Sequence, residues 1–195
     1  MQLALTTIIA MPLLAVIIDH FSETVNLAVS VIGFVPLWKQ ILVGLLSGTA
    51  IAVCAQFIIS RPFMKEVNMR YSKLLEGFKL SLNEILFVSV CAGIGEEILF
   101  RGALQPLFGI VFVAFLFVAI HGYLNPRDWR ITIYGLFMTG AMCALGFAAK
   151  TFGLLPAIIA HTVIDVYLLN KMMKSEFVVE NPGNTTEDPT SNPIT

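Results

Sequence analysis

Long uncharged runs separated by short polar breaks dominate this chain. Residues 40–60, "QILVGLLSGTAIAVCAQFIIS", carry no charge, and a hydrophobic run of about 20 residues is the length that crosses a bilayer as a helix. Similar runs occupy residues 3–18, 82–104, 106–121, 131–149 and 153–172. Residues 25–38 are apolar but short, so the pattern predicts six spans, or seven if that stretch also crosses. The N-terminus lacks the basic start and small-residue cleavage site of a removable signal peptide, so the first run is expected to stay as a span. Two stretches break the pattern. Residues 61–80, "RPFMKEVNMRYSKLLEGFKL", read as a basic, partly amphipathic connector at the interface. Residues 175–195, rich in Asn, Pro, Thr, Glu and Asp, have too little apolar area to fold and read as a disordered tail. The expected organisation is N-terminal spans and connector over 1–81, a four-helix membrane core over 82–174, and the tail.

Composition sharpens this reading. Of 195 residues, 57% are hydrophobic and 13% charged, against about 25% charged in an ordinary soluble domain. The fold class expected is all-α: a multi-pass bundle in the lipid bilayer. No basic run suited to gripping phosphates is present, so no nucleic-acid partner is expected. Cys54, Cys91 and Cys143 are widely spaced in apolar runs, which suggests packing rather than a disulfide framework or a thiolate metal site. Basic residues gather at Arg61, Lys65, Arg70, Lys73, Lys79, Arg127, Arg130, Lys171 and Lys174, whereas the opposite ends of the spans offer Lys39 and Lys150. The positive-inside tendency places the first group in the cytoplasm.

Against this background the stretch "GEEILFRG", residues 95–102, is anomalous. A charge at the bilayer centre costs about 2.5–3.5 kcal/mol on insertion scales. Glu96, Glu97, Arg101, His121, His161 and Asp165 all lie within spans, and unpaired they would together cost on the order of 10 kcal/mol. They are therefore expected to satisfy one another around a shared cavity near the membrane midplane. Glu97 and Arg101 stand four residues apart with the acid first, the favourable order for a helical ion pair. Glu96 points about 100° away from Glu97, which leaves it free to face the cavity. His161 and Asp165 share one face of the last span, and Gly93, Gly95 and Gly102 permit close helix approach around the acids. A carboxylate and two histidines from three spans supply a base and a hydrogen-bond donor, which amide hydrolysis requires. No Ser or Cys is placed as a nucleophile. A zinc hydrolase with Glu96, His121 and His161 as ligands is an alternative, although no HExxH stretch is present.

"EEILFR" (96–101), "FVAIH" (117–121) and "HTVID" (161–165) occur in order on successive apolar runs. In this they resemble the EExxxR, FxxxH and Hxxx[N/D] motifs of the CPBP family, the CAAX prenyl protease and bacteriocin-processing intramembrane endopeptidases, also called Abi proteins. The likeness covers residues from about 82 to 172. It implies a glutamate-type endopeptidase in which Glu96 and His121 activate water and His161, with residue 165, polarises the scissile carbonyl. It implies no metal cofactor, zinc being the alternative. The expected partner is a membrane-associated peptide or protein substrate, and the expected location a prokaryotic cell membrane. Non-enzymatic readings, an immunity or scaffold protein or a proton-relay transporter, remain as alternatives. Many members carry Asn at the last motif position, and an ionised Asp165 cannot donate to an oxyanion. Two readings remain: a protonated Asp165 that donates its O–H, or, the preferred one, an acceptor that fixes the tautomer of His161.

Overall fold

A computed structural model describes residues 1–33, 35–75 and 80–180, and every described element is helical. The elements are α1 (Gln2–Phe21), α2 (Leu27–Ile32), α3 (Leu37–Ile59), a 3-10 turn (Pro62–Met64), α4 (Lys65–Leu75), α5 (Leu82–Glu97), a π-helical turn (Ile98–Leu104), α6 (Gln105–Phe108), α7 (Ile110–Ile120), α8 (Trp129–Phe152) and α9 (Leu154–Glu180). Helix α5 starts in a capping box: the Ser81 hydroxyl accepts from the Glu84 amide, and the Glu84 carboxylate accepts from the Ser81 amide. Asp128 caps α8 by accepting from the Arg130 amide. Gly109, Gly122 and Gly153 take positive φ at the ends of α7 and before α9, where a side chain would be strained.

Among the described residues four helices are long and apolar enough to cross a membrane: α1, α3, α8 and residues Leu154–Lys174 of α9. The chain is an integral membrane protein of helical class. The expected count of six to seven spans is not confirmed by helix length alone, because the remaining apolar runs are divided between shorter elements. The run 82–104 is divided between the 16 residues of α5 and the π turn. The run 106–121 yields an α7 of 11 residues, about 16 Å long against a hydrocarbon core of about 30 Å. Residues 25–38 form the six-residue α2 and the start of α3. Helix α9 continues to Glu180, past the expected start of the polar tail, and residues 181–195 of that tail lie outside the described residues, as does 76–79 of the connector.

Small residues set the helix packing. Gly44, Gly48, Ala52 and Ala55 are the buried face of α3 together with Gln40. A Cβ on Gly48 would stand 2.7 Å from the Ala160 Cα, and one on Gly44 would stand 2.8 Å from the Ile159 Cβ. In lipid such close approach, rather than water exclusion, drives association. Because 44 matches 159 and 48 matches 160–163, α3 and α9 run parallel. Helix α5 runs against α9, with Gly93 beside Ile158 and Thr162. Helix α1 packs on α5, with Gly95 against Thr7, and α2 packs on the π turn, with Leu27 against Gly102. One end of the bundle thus carries the end of α3, α4, the start of α5, the start of α8 and the end of α9.

Candidate active site

The acid pair ends α5. Glu97 is fully buried and Arg101, inside the π turn, is 3% exposed. Glu97 Oε2 lies 3.1 Å from Arg101 Nε, so the expected ion pair is present and its burial is nearly complete. Arg101 also reaches the Met142 sulfur on α8 at 3.0 Å and lies over the Phe117 ring, 4.8 Å from its centroid. The π turn adds a residue to the helical circuit and alters which way the side chains after Glu97 face, a feature that often marks functional sites. Nothing in the hydrophobic pattern of 82–104 signals it.

Glu96 faces the other way. Its Oε2 is 3.6 Å from His121 Nε2 and 4.0 Å from His161 Nε2, and among the described residues this buried atom has no hydrogen-bond partner. His121 is set by its own helix: its Nδ1 is 2.7 Å from the Phe117 carbonyl oxygen, so the Nδ1–H tautomer donates there and Nε2 is turned toward Glu96. Phe117 is the ring around which the site is assembled. It stacks on His121, meets His161 and Phe100 edge to face, and lies under Arg101. The residues from α5, α7 and α9 that the sequence singled out therefore meet at one place.

One expected contact is revised. Asp165 was expected to hold one nitrogen of His161 and free the other. Instead, Glu97 Oε1 takes His161 Nδ1 at 2.7 Å. Asp165 Oδ2 stands 3.6 Å from Nε2, the nitrogen that also faces Glu96 and too far for a hydrogen bond. The physical reason is reach. Glu97 enters from the facing helix α5 and meets the ring edge-on, whereas Asp165 sits one turn along the same helix and meets its far side. Glu97 thus has a second role that sequence spacing missed: it joins Arg101 to His161. The partners are 64 positions apart, so no local signal could have revealed it. Asp165 is 31% exposed at its side chain and His121 32%, against 14% for Glu96, so the cavity is open on the side of Asp165 and His121.

Zinc requires donor atoms about 3.4 Å apart when bonds of about 2.0–2.1 Å are tetrahedral. The Glu96–His121 gap is near this value, but the 4.0 Å gap to His161 is wider. Among the described residues no group of three or more His, Cys, Asp or Glu is placed to hold a metal ion.

Residues 78–167 match the family model described as Type II CAAX prenyl endopeptidase Rce1-like. This segment is similar to the Rce1-like family. It spans Glu96, Glu97, Arg101, His121, His161 and Asp165, and agrees with the CPBP and CAAX-protease resemblance of the three motifs. The Rce1-like match supports a protease of the CAAX type. No curated protein and no solved structure matches the chain.

Proposed function

We propose that this chain is an intramembrane endopeptidase that hydrolyses a peptide bond of a membrane-associated peptide or protein. The observation that carries the reading is Glu96 Oε2, buried without a hydrogen-bond partner among the described residues and flanked at 3.6 and 4.0 Å by His121 Nε2 and His161 Nε2. These gaps exceed a direct hydrogen bond but allow one oxygen atom to bond two of the three groups at once. A water held there has Glu96 as its general base, with His121 aligning it, and proton transfer of this kind contributes about 10²–10⁴-fold. His161 is the donor to the developing oxyanion. Its Nδ1–H is spent on Glu97, so a donating Nε2–H makes the ring an imidazolium. Glu97 and Asp165 supply balancing carboxylates.

The site opens toward the basic end of the bundle in this reading. Helix α7 stops at Ile120, and the chain returns to α8 alongside residues 132–135 rather than at the helix start. Non-helical backbone at that depth is tolerated where it lines a polar cavity. With Arg61, Lys65, Arg127, Lys171 and Lys174 at this end, the positive-inside tendency makes it cytoplasmic. The test is quantitative proteomics of membranes from cells making the native chain or Glu96→Ala. A precursor with an uncut peptide accumulates in the variant if the reading is right. Identical peptide profiles, with both proteins present at equal level, would sink it.

A further inference from the structure

His121 closes α7, and the seven residues 122–128 that follow carry the chain back to α8 without forming a helix. Their path is built into α8. The Tyr123 carbonyl lies against Gly135, where a Cβ would stand 2.2 Å from that oxygen. The Thr132 hydroxyl reaches the Asn125 carbonyl at 2.6 Å and the Asp128 carbonyl at 3.1 Å. Asn125 then organises the turn: its carbonyl accepts from the Asp128 amide, and its side-chain oxygen accepts from the Arg127 amide at 3.0 Å. Gly135 is six residues into α8, about 9 Å below its start. Gly135 and Thr132 thus seat residues 123–125 against α8, and the Tyr123 ring stacks on that of His121, 6.1 Å between centroids. From outside, the 3-10 turn and α4 cover the join: Phe63 stacks on Trp129, Glu66 pairs with Arg130, and Arg70 pairs with Asp128.

We infer that Thr132 and Gly135, neither of which touches the site, are positioning residues that set how far His121 Nε2 stands from Glu96. The functional consequence rests on the endopeptidase reading above, whereas the positional one does not. Thr132 lies in the first turn of α8, where its hydroxyl can bond back to the carbonyl four residues earlier. Here the shorter of its two contacts leaves the helix for the Asn125 carbonyl. Gly135 serves by absence: its missing side chain is the space that the Tyr123 carbonyl occupies.

The test is carbethoxylation of histidines by diethyl pyrocarbonate in the full chain in detergent micelles, read by peptide mass spectrometry. His20, exposed on α1, is the internal reference. Thr132→Val keeps shape and removes the hydroxyl. It should speed modification of His121 about fivefold, the factor that one lost hydrogen bond is worth in population. Gly135→Ala should do at least as much, and Thr132→Ser should return to the native rate. Unchanged His121 rates in both the Val and the Ala variants, or a Ser variant as fast as the Val one, would overturn the inference. In the peptidase assay the same variants should lower kcat with KM held, because His121 is moved while the substrate surface is kept. If His121 shifts as expected but the native chain cleaves nothing, the endopeptidase reading falls and the positioning stands. If cleavage is present and His121 does not shift, the positioning falls alone.

Discussion

Replacing Arg101 by Met should destabilise the fold more than any other single change at the site. The guanidinium lies 3% exposed between the fully buried Glu97, the Met142 sulfur and the Phe117 ring. Met fills much of the same volume, so little of the loss is packing. What remains is a carboxylate in a dry setting whose one hydrogen-bonding partner is His161. Breaking a buried pair by removing one partner costs about 3–5 kcal/mol. At about 2–4 °C per kcal/mol for a chain of this size, the melting temperature in detergent should fall by roughly 6–20 °C. Glu97→Gln combined with Arg101→Met removes both charges and should recover part of this loss. The sum of the two single losses should therefore exceed the double loss by about 1–3 kcal/mol, the coupling expected for residues in contact. The assay is thermal unfolding followed by intrinsic fluorescence for the four proteins of the cycle. A shift of Arg101→Met within a degree or two, or strictly additive losses, would refute the argument that this pair holds the turn after α5.

Three further outcomes follow from the geometry. Asp165→Asn should cost little peptidase activity, because Glu97 rather than Asp165 holds His161, whereas His161→Ala should lose about 10²–10³-fold in kcat; equal losses would give Asp165 a direct role. Gly48→Val should destabilise by about 1–3 kcal/mol through collision with the Ala160 backbone, while Gly140→Ala, with open space around its Cα, should not; thermal unfolding of both decides. Cleavage should survive exhaustive chelation, and activity lost on chelation and restored by zinc would return Glu96, His121 and His161 to ligand roles.

The parts of the fold set by composition were legible in the sequence. The uncharged runs 40–60 and 131–149 and the largely apolar run 153–172 became α3, α8 and α9 because apolar length alone decides a spanning helix. The gathering of Glu96, His121 and His161 was legible for a similar reason: charges this costly in lipid must share a polar site. The failures share a cause as well. The run 106–121 is as apolar as any span, yet Gly109 at positive φ divides it into α6 and α7, and hydropathy does not register such a break. Residues 98–104 read as helix, and the wider turn they adopt depends on packing against α1 and α2 from the N-terminal half. The partner of His161 was misassigned because spacing within one helix favoured Asp165, while the bond comes from Glu97 on another. Thr132, Gly135 and Met142 act across helices and carry no mark along the chain.

The central claim is that Glu96 is the base that activates water. Its most direct test is turnover of a membrane-tethered peptide substrate by the purified chain and by Glu96→Gln in the same nanodiscs, with oxygen-18 water as solvent. Gln keeps the shape and cannot take a proton. The account predicts one oxygen-18 atom in the new carboxyl group of the product from the native chain. It also predicts a kcat lower by about 10²–10⁴-fold for Glu96→Gln, with an unchanged melting temperature. Near-native turnover by a folded Glu96→Gln would contradict it.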